Sequence, residues 1–244
     1  MNERREKDMR YTELAESLQS RLKLCLPPIA LTFVKEPPRD IPRTDAVVPS
    51  SCAFWRRAEE EIFYAPAEAH FNCALGAMVM GFQLPAAQMA KLEEDVKMMC
   101  GLSYVRGEEV ERVPKVPTPS AGIVYGPLRR FPLEPDAVLL WGTPQQAMVL
   151  SECCGLINWA GAPTGILGRP GCGSIPAALA AGRAVQSFGC TGMRINTNIS
   201  PELFLMVLPA AILNTLAPDL EQTCGVHEQL EVHYRSKAAR LSAA

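Results

Sequence analysis

The sequence predicts an α/β fold, a mixed sheet with helices packed on it, in a single domain over residues 1–244. Three observations point to it. Short apolar runs rich in β-formers, IALTFV at 29–34 and LFLMVL at 203–208, are too short for buried helices and read as strands. They alternate with longer segments of helical period, led by Leu14, Leu18 and Leu22. Hydrophobic residues make up 48% of the 244, enough to cover a sheet that is buried on both faces.

The elements follow in order. Residues 11–24 form an amphipathic helix that Pro27 and Pro28 end. Strand 29–34 leads into a proline-rich surface loop, 36–51, and then to Cys52. A short helix at 53–61, a strand at 62–65 and helices at 74–82 and 85–99 come next, the last closed by Gly101. Residues 113–119 hold three prolines and read as a surface crossing. Strands at 122–125 and 137–141 open the second half. Thr143 is an N-cap and Pro144 a first helical residue, and that helix runs to about Asn158. A glycine- and proline-rich segment, 161–174, ends at a helix start, Ser174. After strand 203–208, helices begin at Pro209 and again at Pro218.

The balance of 24 basic and 26 acidic residues argues against a nucleic-acid surface. No run approaches 18 apolar residues, so no membrane span is expected. The charged start, Met1 to Arg10, has no apolar core of a secretory signal, which places the chain in the cytoplasm. There the nine cysteines are not expected to form disulfides, leaving metal ligation, thiol chemistry or burial.

Five cysteines have packing explanations. Cys154 shares a helix face with Ala147, Leu150 and Ile157, and Cys153 points elsewhere, half-buried. Cys100 and Cys224 precede glycines near helix ends, and Cys25 sits at a helix exit. Cys52, Cys73, Cys172 and Cys190 differ. They fall in loops or helix starts, flanked by small residues that include Ser51, Gly76, Gly171, Gly173, Gly189 and Gly192. Such flanks let backbone N–H groups approach a sulfur. Four thiolates suit a [4Fe–4S] cluster or a tetrahedral zinc ion, yet neither a C-x-x-C pair nor a ferredoxin run is present. The residues alone leave an iron–sulfur cluster, zinc, a metal-free reactive thiol and plain burial all open.

The feature order also suggests two equivalent halves, 25–112 and 120–225. Each carries a strand, a cysteine, a short helix and a second cysteine, 21 and 18 residues after the first. His70, just before Cys73, is a candidate proton donor or partner to a thiolate, set against an ordinary surface histidine. Arg194 is a candidate anion clamp, set against a surface salt bridge. Gly171, Gly173 and Gly192 would line the cluster pocket. His227 and His233 have no supporting motif. Walker, G-x-G-x-x-G, G-x-S-x-G and H-E-x-x-H motifs are absent.

Several blocks together resemble one family: Pro27 to Phe33, Ser51-Cys52-Ala-Phe-Trp-Arg-Arg-Ala58, Phe63 to Glu68 with Asn72-Cys73-Ala-Leu-Gly76, Asp136 to Leu140 with Pro144 to Met148, Cys172, and Gly189-Cys190-Thr-Gly192-Met-Arg194. This resembles the domain of unknown function 169 family, common in anaerobic bacteria and archaea, over about residues 27–209. Ala74 departs from it, since many members have proline there. The resemblance implies a role for the same four cysteines and favours the iron–sulfur cluster, with a redox partner or a small molecule meeting it. A non-enzymatic binding module with structural or zinc-binding cysteines is the alternative. No nucleic acid and no membrane are expected as partners, and a homo-oligomer fits the reading.

Overall fold

A computed structural model describes residues 2–156 and 165–242. The chain runs α1 (Asn2–Arg21), β1 (Ile29–Val34), α2 (Ala53–Arg57), β2 (Phe63–Pro66), α3 (Ala74–Val79), α4 (Ala86–Gly101), α5 (Gly107–Glu111), β3 (Gly122–Pro127), β4 (Ala137–Gly142), α6 (Pro144–Cys153), β5 (Ile166–Leu167), α7 (Ser174–Ala181), β6 (Val185–Ser187), α8 (Thr191–Thr197), β7 (Phe204–Pro209) and α9 (Ala210–Ser242). The fold is α/β. Seven strands make one mixed sheet in the order β2-β3-β1-β4-β7-β6-β5. Every neighbouring pair is antiparallel except β5 with β6.

Alternation along the strands divides the core in two. Ile29, Leu31, Ile123, Leu139, Leu205 and Val207 turn to one face, beneath α2, α3 and α7. Ala30, Val124, Val138, Leu140, Met206 and Leu208 turn to the other, where α1, α6 and α9 pack. The long apolar strands are therefore buried on both sides, which is why they read as continuous runs rather than as alternating ones. Leu14, Leu18 and Leu22 form the buried stripe of α1 and its exit, and Ala147 and Leu150 carry α6 onto Val138 and Leu140.

Thr143 caps α6 as the sequence predicts. Its side chain accepts from Gln146 N at 3.3 Å, while Gln146 Oε1 accepts from Thr143 N at 2.8 Å. The helix stops at Cys153, short of the expected end, and Cys154 is its half-buried C-cap. Ile157 and Asn158 lie outside the described residues. Four short elements, α5, α8, β5 and β6, went unread because two to seven residues carry no periodicity. Pro218 does not start a new helix: α9 runs through it, since Leu213, Leu216, Leu220 and Cys224 bury one stripe and the packing outweighs the lost hydrogen bond. Cys224 consequently sits inside α9, not near its end. Nor do the strands of the two candidate halves separate, because β3 lies between β2 and β1. Among the described residues, no helix is long and apolar enough to cross a membrane.

Candidate thiol centre

Local structure sets three of the four cysteines at the starts of short helices. Cys52 is the N-cap of α2, Cys73 of α3 and Cys190 of α8. Cys172 occupies a one-turn 3-10 segment, Gly171–Gly173, that runs into α7. These elements share one sheet face: α2 touches α8, and α3 touches the Cys172 turn. Glycines allow the closeness. A Cβ on Gly171 would stand 2.7 Å from Met193 Sδ and 3.0 Å from Gly189 Cα, so only glycine lets the Cys172 turn lie against the Cys190 loop. Gly189 itself turns at φ +81°.

The thiols feel one another electrostatically. Burial, and then the nearby Cys73 and Cys190, push the Cys52 thiol up to about 12, although it bonds the Ser50 hydroxyl at 2.9 Å. Burial raises Cys73 as well, with contributions from Cys190 and the Asp95 carboxylate, while the backbone N–H groups of Gly76 and Ser51 draw it partly back. Cys172 is raised well above an ordinary thiol by burial and then by Cys73, Cys190 and Cys52. The Cys190 sulfur accepts from Met193 N at 3.4 Å. All nine cysteines are free. No group of three or more His, Cys, Asp or Glu side chains among the described residues is gathered as if around a metal ion.

An aromatic wall backs the thiols. Tyr125 lies in the same buried cluster as Cys52, with Cys172 packed against that cluster, and its phenol is pushed up by burial and then by both thiols. His70 lies behind it, fully buried, its ring 5.2 Å from Phe54 and 4.8 Å from Phe82 between centroids. Burial pushes its pKa down to about 4, so the ring is neutral. Nδ1 donates to Pro66 O at 2.9 Å, which leaves Nε2 to accept from the Tyr125 hydroxyl at 3.2 Å. His70 is thus a core residue rather than a surface one, with its ring bonded to Tyr125 and its carbonyl accepting from Cys73 N at 3.1 Å.

Other sequence candidates are placed elsewhere. Arg194 clamps two loops, donating from Nε to Phe188 O and from NH2 to Leu203 O, each at 3.0 Å. It forms no ion pair among the described residues. Gly192 is exposed, and a Cβ there would meet nothing. Gly173 faces Leu167 and Val113.

Sequence reasoning missed Tyr125, whose β-strand context looks like any other core tyrosine. It also missed the buried Ser51 Oγ, which has no hydrogen-bond partner and lies 3.2 Å from where a Gly76 Cβ would stand. The same Cβ would be 3.0 Å from Cys73 Sγ. Gly76→Ala is therefore expected to lower stability by about 1–2 kcal/mol through overpacking, read as a lower urea midpoint. An unchanged midpoint with unchanged Cys73 labelling by a thiol reagent would show that the site yields without strain.

Fold and site together define an α/β protein that gathers four unpaired thiols on one face of a mixed sheet. The chain belongs to the DUF169 family, described as uncharacterised ArCR, whose model matches residues 17–218 and takes in all four cysteines. No curated protein and no solved structure matches it.

Proposed function

We propose that the chain binds a [4Fe–4S] cluster through Cys52, Cys73, Cys172 and Cys190, and that the cluster serves a redox step or meets a small molecule. The observation that carries this reading is that the four cysteine-bearing turns meet on one sheet face, α2 against α8 and the Cys172 turn against both α3 and the Gly189–Cys190 loop. Soft thiolate donors alone select iron–sulfur or zinc over hard cations. A single tetrahedral zinc, with Zn–S of about 2.3 Å, would hold its sulfurs roughly 3.8 Å apart. Zinc on the same four sulfurs is the alternative, and metal analysis separates the two.

The surroundings supply what a cluster needs from a protein. Buried thiols with raised pKa stay protonated until a positive core replaces their protons, so binding would release protons and hold the sulfurs as thiolates. The orphaned Ser51 hydroxyl and the N–H groups near Cys73 and Cys190 are donors available to sulfur. When bound, the cluster would supply one-electron chemistry or an open iron, depending on whether four or three cysteines hold it.

Purification without oxygen, followed by reconstitution with iron and sulfide, tests the proposal. Brown protein with about four irons per chain and absorption near about 400 nm is the expected result. One tightly held zinc, or no metal after reconstitution, would falsify the reading.

A further inference from the structure

A cavity of about 670 Å³ opens where the α4–α5 connection meets the segment before the Cys172 turn, lined by Ser103, Tyr104, Arg106, Glu109 and Arg169 with Cys100 at its edge. That volume lies in the range of small-molecule sites. The wall is built on the loops of the thiol centre. Thr191, the residue after Cys190, faces the Tyr104 hydroxyl, and Val113 and Pro114 just beyond α5 lie against Gly173.

The charges are unequally matched. Arg106 is paired, with Glu109 at 3.2 Å and Glu108 at 3.6 Å. The Arg169 guanidinium stacks 3.9 Å over the Tyr104 ring and forms no ion pair within 4.0 Å among the described residues, although the Glu109 carboxylate lies within its field. Both nearby carboxylates are thus engaged by Arg106, which leaves Arg169 as the arginine of the lining without a close carboxylate. Burial pushes the Tyr104 phenol up, but donors on Thr191 and Arg169 outweigh it and leave the hydroxyl more acidic than usual. Arg169 thus lies against both the ring and the phenol of Tyr104, and a guanidinium carries five N–H donors, more than that one neighbour can take up. A guanidinium seated over an aromatic ring keeps N–H donors at its edge, and its planar fork suits a carboxylate or phosphate.

We propose that this cavity binds a small organic anion, carboxylate or phosphate, with the charged group on Arg169 and the body of the molecule against Tyr104, beside the loop that carries Cys190. This reading rests on the cavity alone and stands whether or not the thiols hold iron.

The experiment uses reduced, metal-free full-length protein, so that failure here and failure of the iron–sulfur reading are separate results. Inorganic phosphate and malonate are titrated separately by calorimetry, which distinguishes the two anion classes. Saturable binding of at least one is expected, weakened about tenfold or more by Arg169→Gln, as the loss of a charge-assisted contact implies. Arg106→Gln should weaken it less, because Glu108 and Glu109 already draw on that charge. Arg183→Gln, at an exposed arginine in the turn after α7, should leave it unchanged. No saturable binding of either anion, or binding that survives Arg169→Gln intact, overturns the proposal.

Discussion

Replacing Cys172 by alanine is expected to cut the iron held after anaerobic reconstitution from about four per chain to roughly half or less, and the same change at Cys52, Cys73 or Cys190 should act alike, since each would supply one ligand. Cys172 heads the series because its thiol is influenced by all three others. Alanine at Cys154 or Cys224 is the control. Both pack on the opposite sheet face, against the cluster that holds Leu150 and Leu220. Cys154→Ala should lower stability by about 1 kcal/mol, as for one small buried group, and leave iron content untouched. Iron that persists in all four site variants, or disappears from the Cys154 variant, would remove the assignment.

The second large effect is on acid stability. His70 is held neutral, its pKa pushed down to about 4 from an ordinary 6.5 chiefly by burial. The unfolded chain therefore binds this proton more readily than the folded one. The contribution is fully present above pH 6.5 and lost as pH falls toward 4, by up to about 3 kcal/mol in all. Glu59 works in the opposite sense. Its carboxyl is raised to about 7 by burial, so its contribution grows as pH falls from 7. Comparison with His70→Phe separates the two. The variant should lose about 1–3 kcal/mol at pH 7, because Pro66 O and the Tyr125 hydroxyl lose their partner, and it should also lose most of the extra decline between pH 7 and pH 5. Urea midpoints of both proteins at the two pH values give the answer, and equal declines would mean that His70 titrates as if exposed.

Much of the fold was legible because it is written in periodicity. Strand β1 occupies the residues its apolar run marked, and Leu14, Leu18 and Leu22 bury as their spacing requires. Thr143 and Pro144 fixed the start of α6 through backbone chemistry that needs no tertiary partner. The short elements were not legible, since β5 has two residues and β6 three, and their pairing depends on β7. Pro218 misled for the same reason: a local breaker is overridden by burial that the local sequence does not display. At the site, the small-residue flanks singled out the four cysteines, but chain order does not say which face of the sheet a loop crosses. The burial of His70, the place of Tyr125 in the cluster that holds Cys52 and the diversion of Arg194 to carbonyls all depend on that crossing.

The position of β3 between β2 and β1 has a consequence for the order of assembly. Cys52 lies between β1 and β2 and Cys73 between β2 and β3, while Cys172 and Cys190 follow β4, so the first and last thiols are 138 positions apart. No two of the four sit close enough in sequence to hold a metal in an extended chain, unlike the C-x-x-C pairs that capture zinc before folding. A nascent chain carries no partial centre. The thiols come within each other's reach only after long-range strand pairing, which is slow because distant segments must find one another first. Synthesis must pass residue 204 before β7 can join β4 to β6. On the proposed reading the scaffold would precede the cofactor, and a delivery system would have to recognise the finished surface rather than the emerging polypeptide.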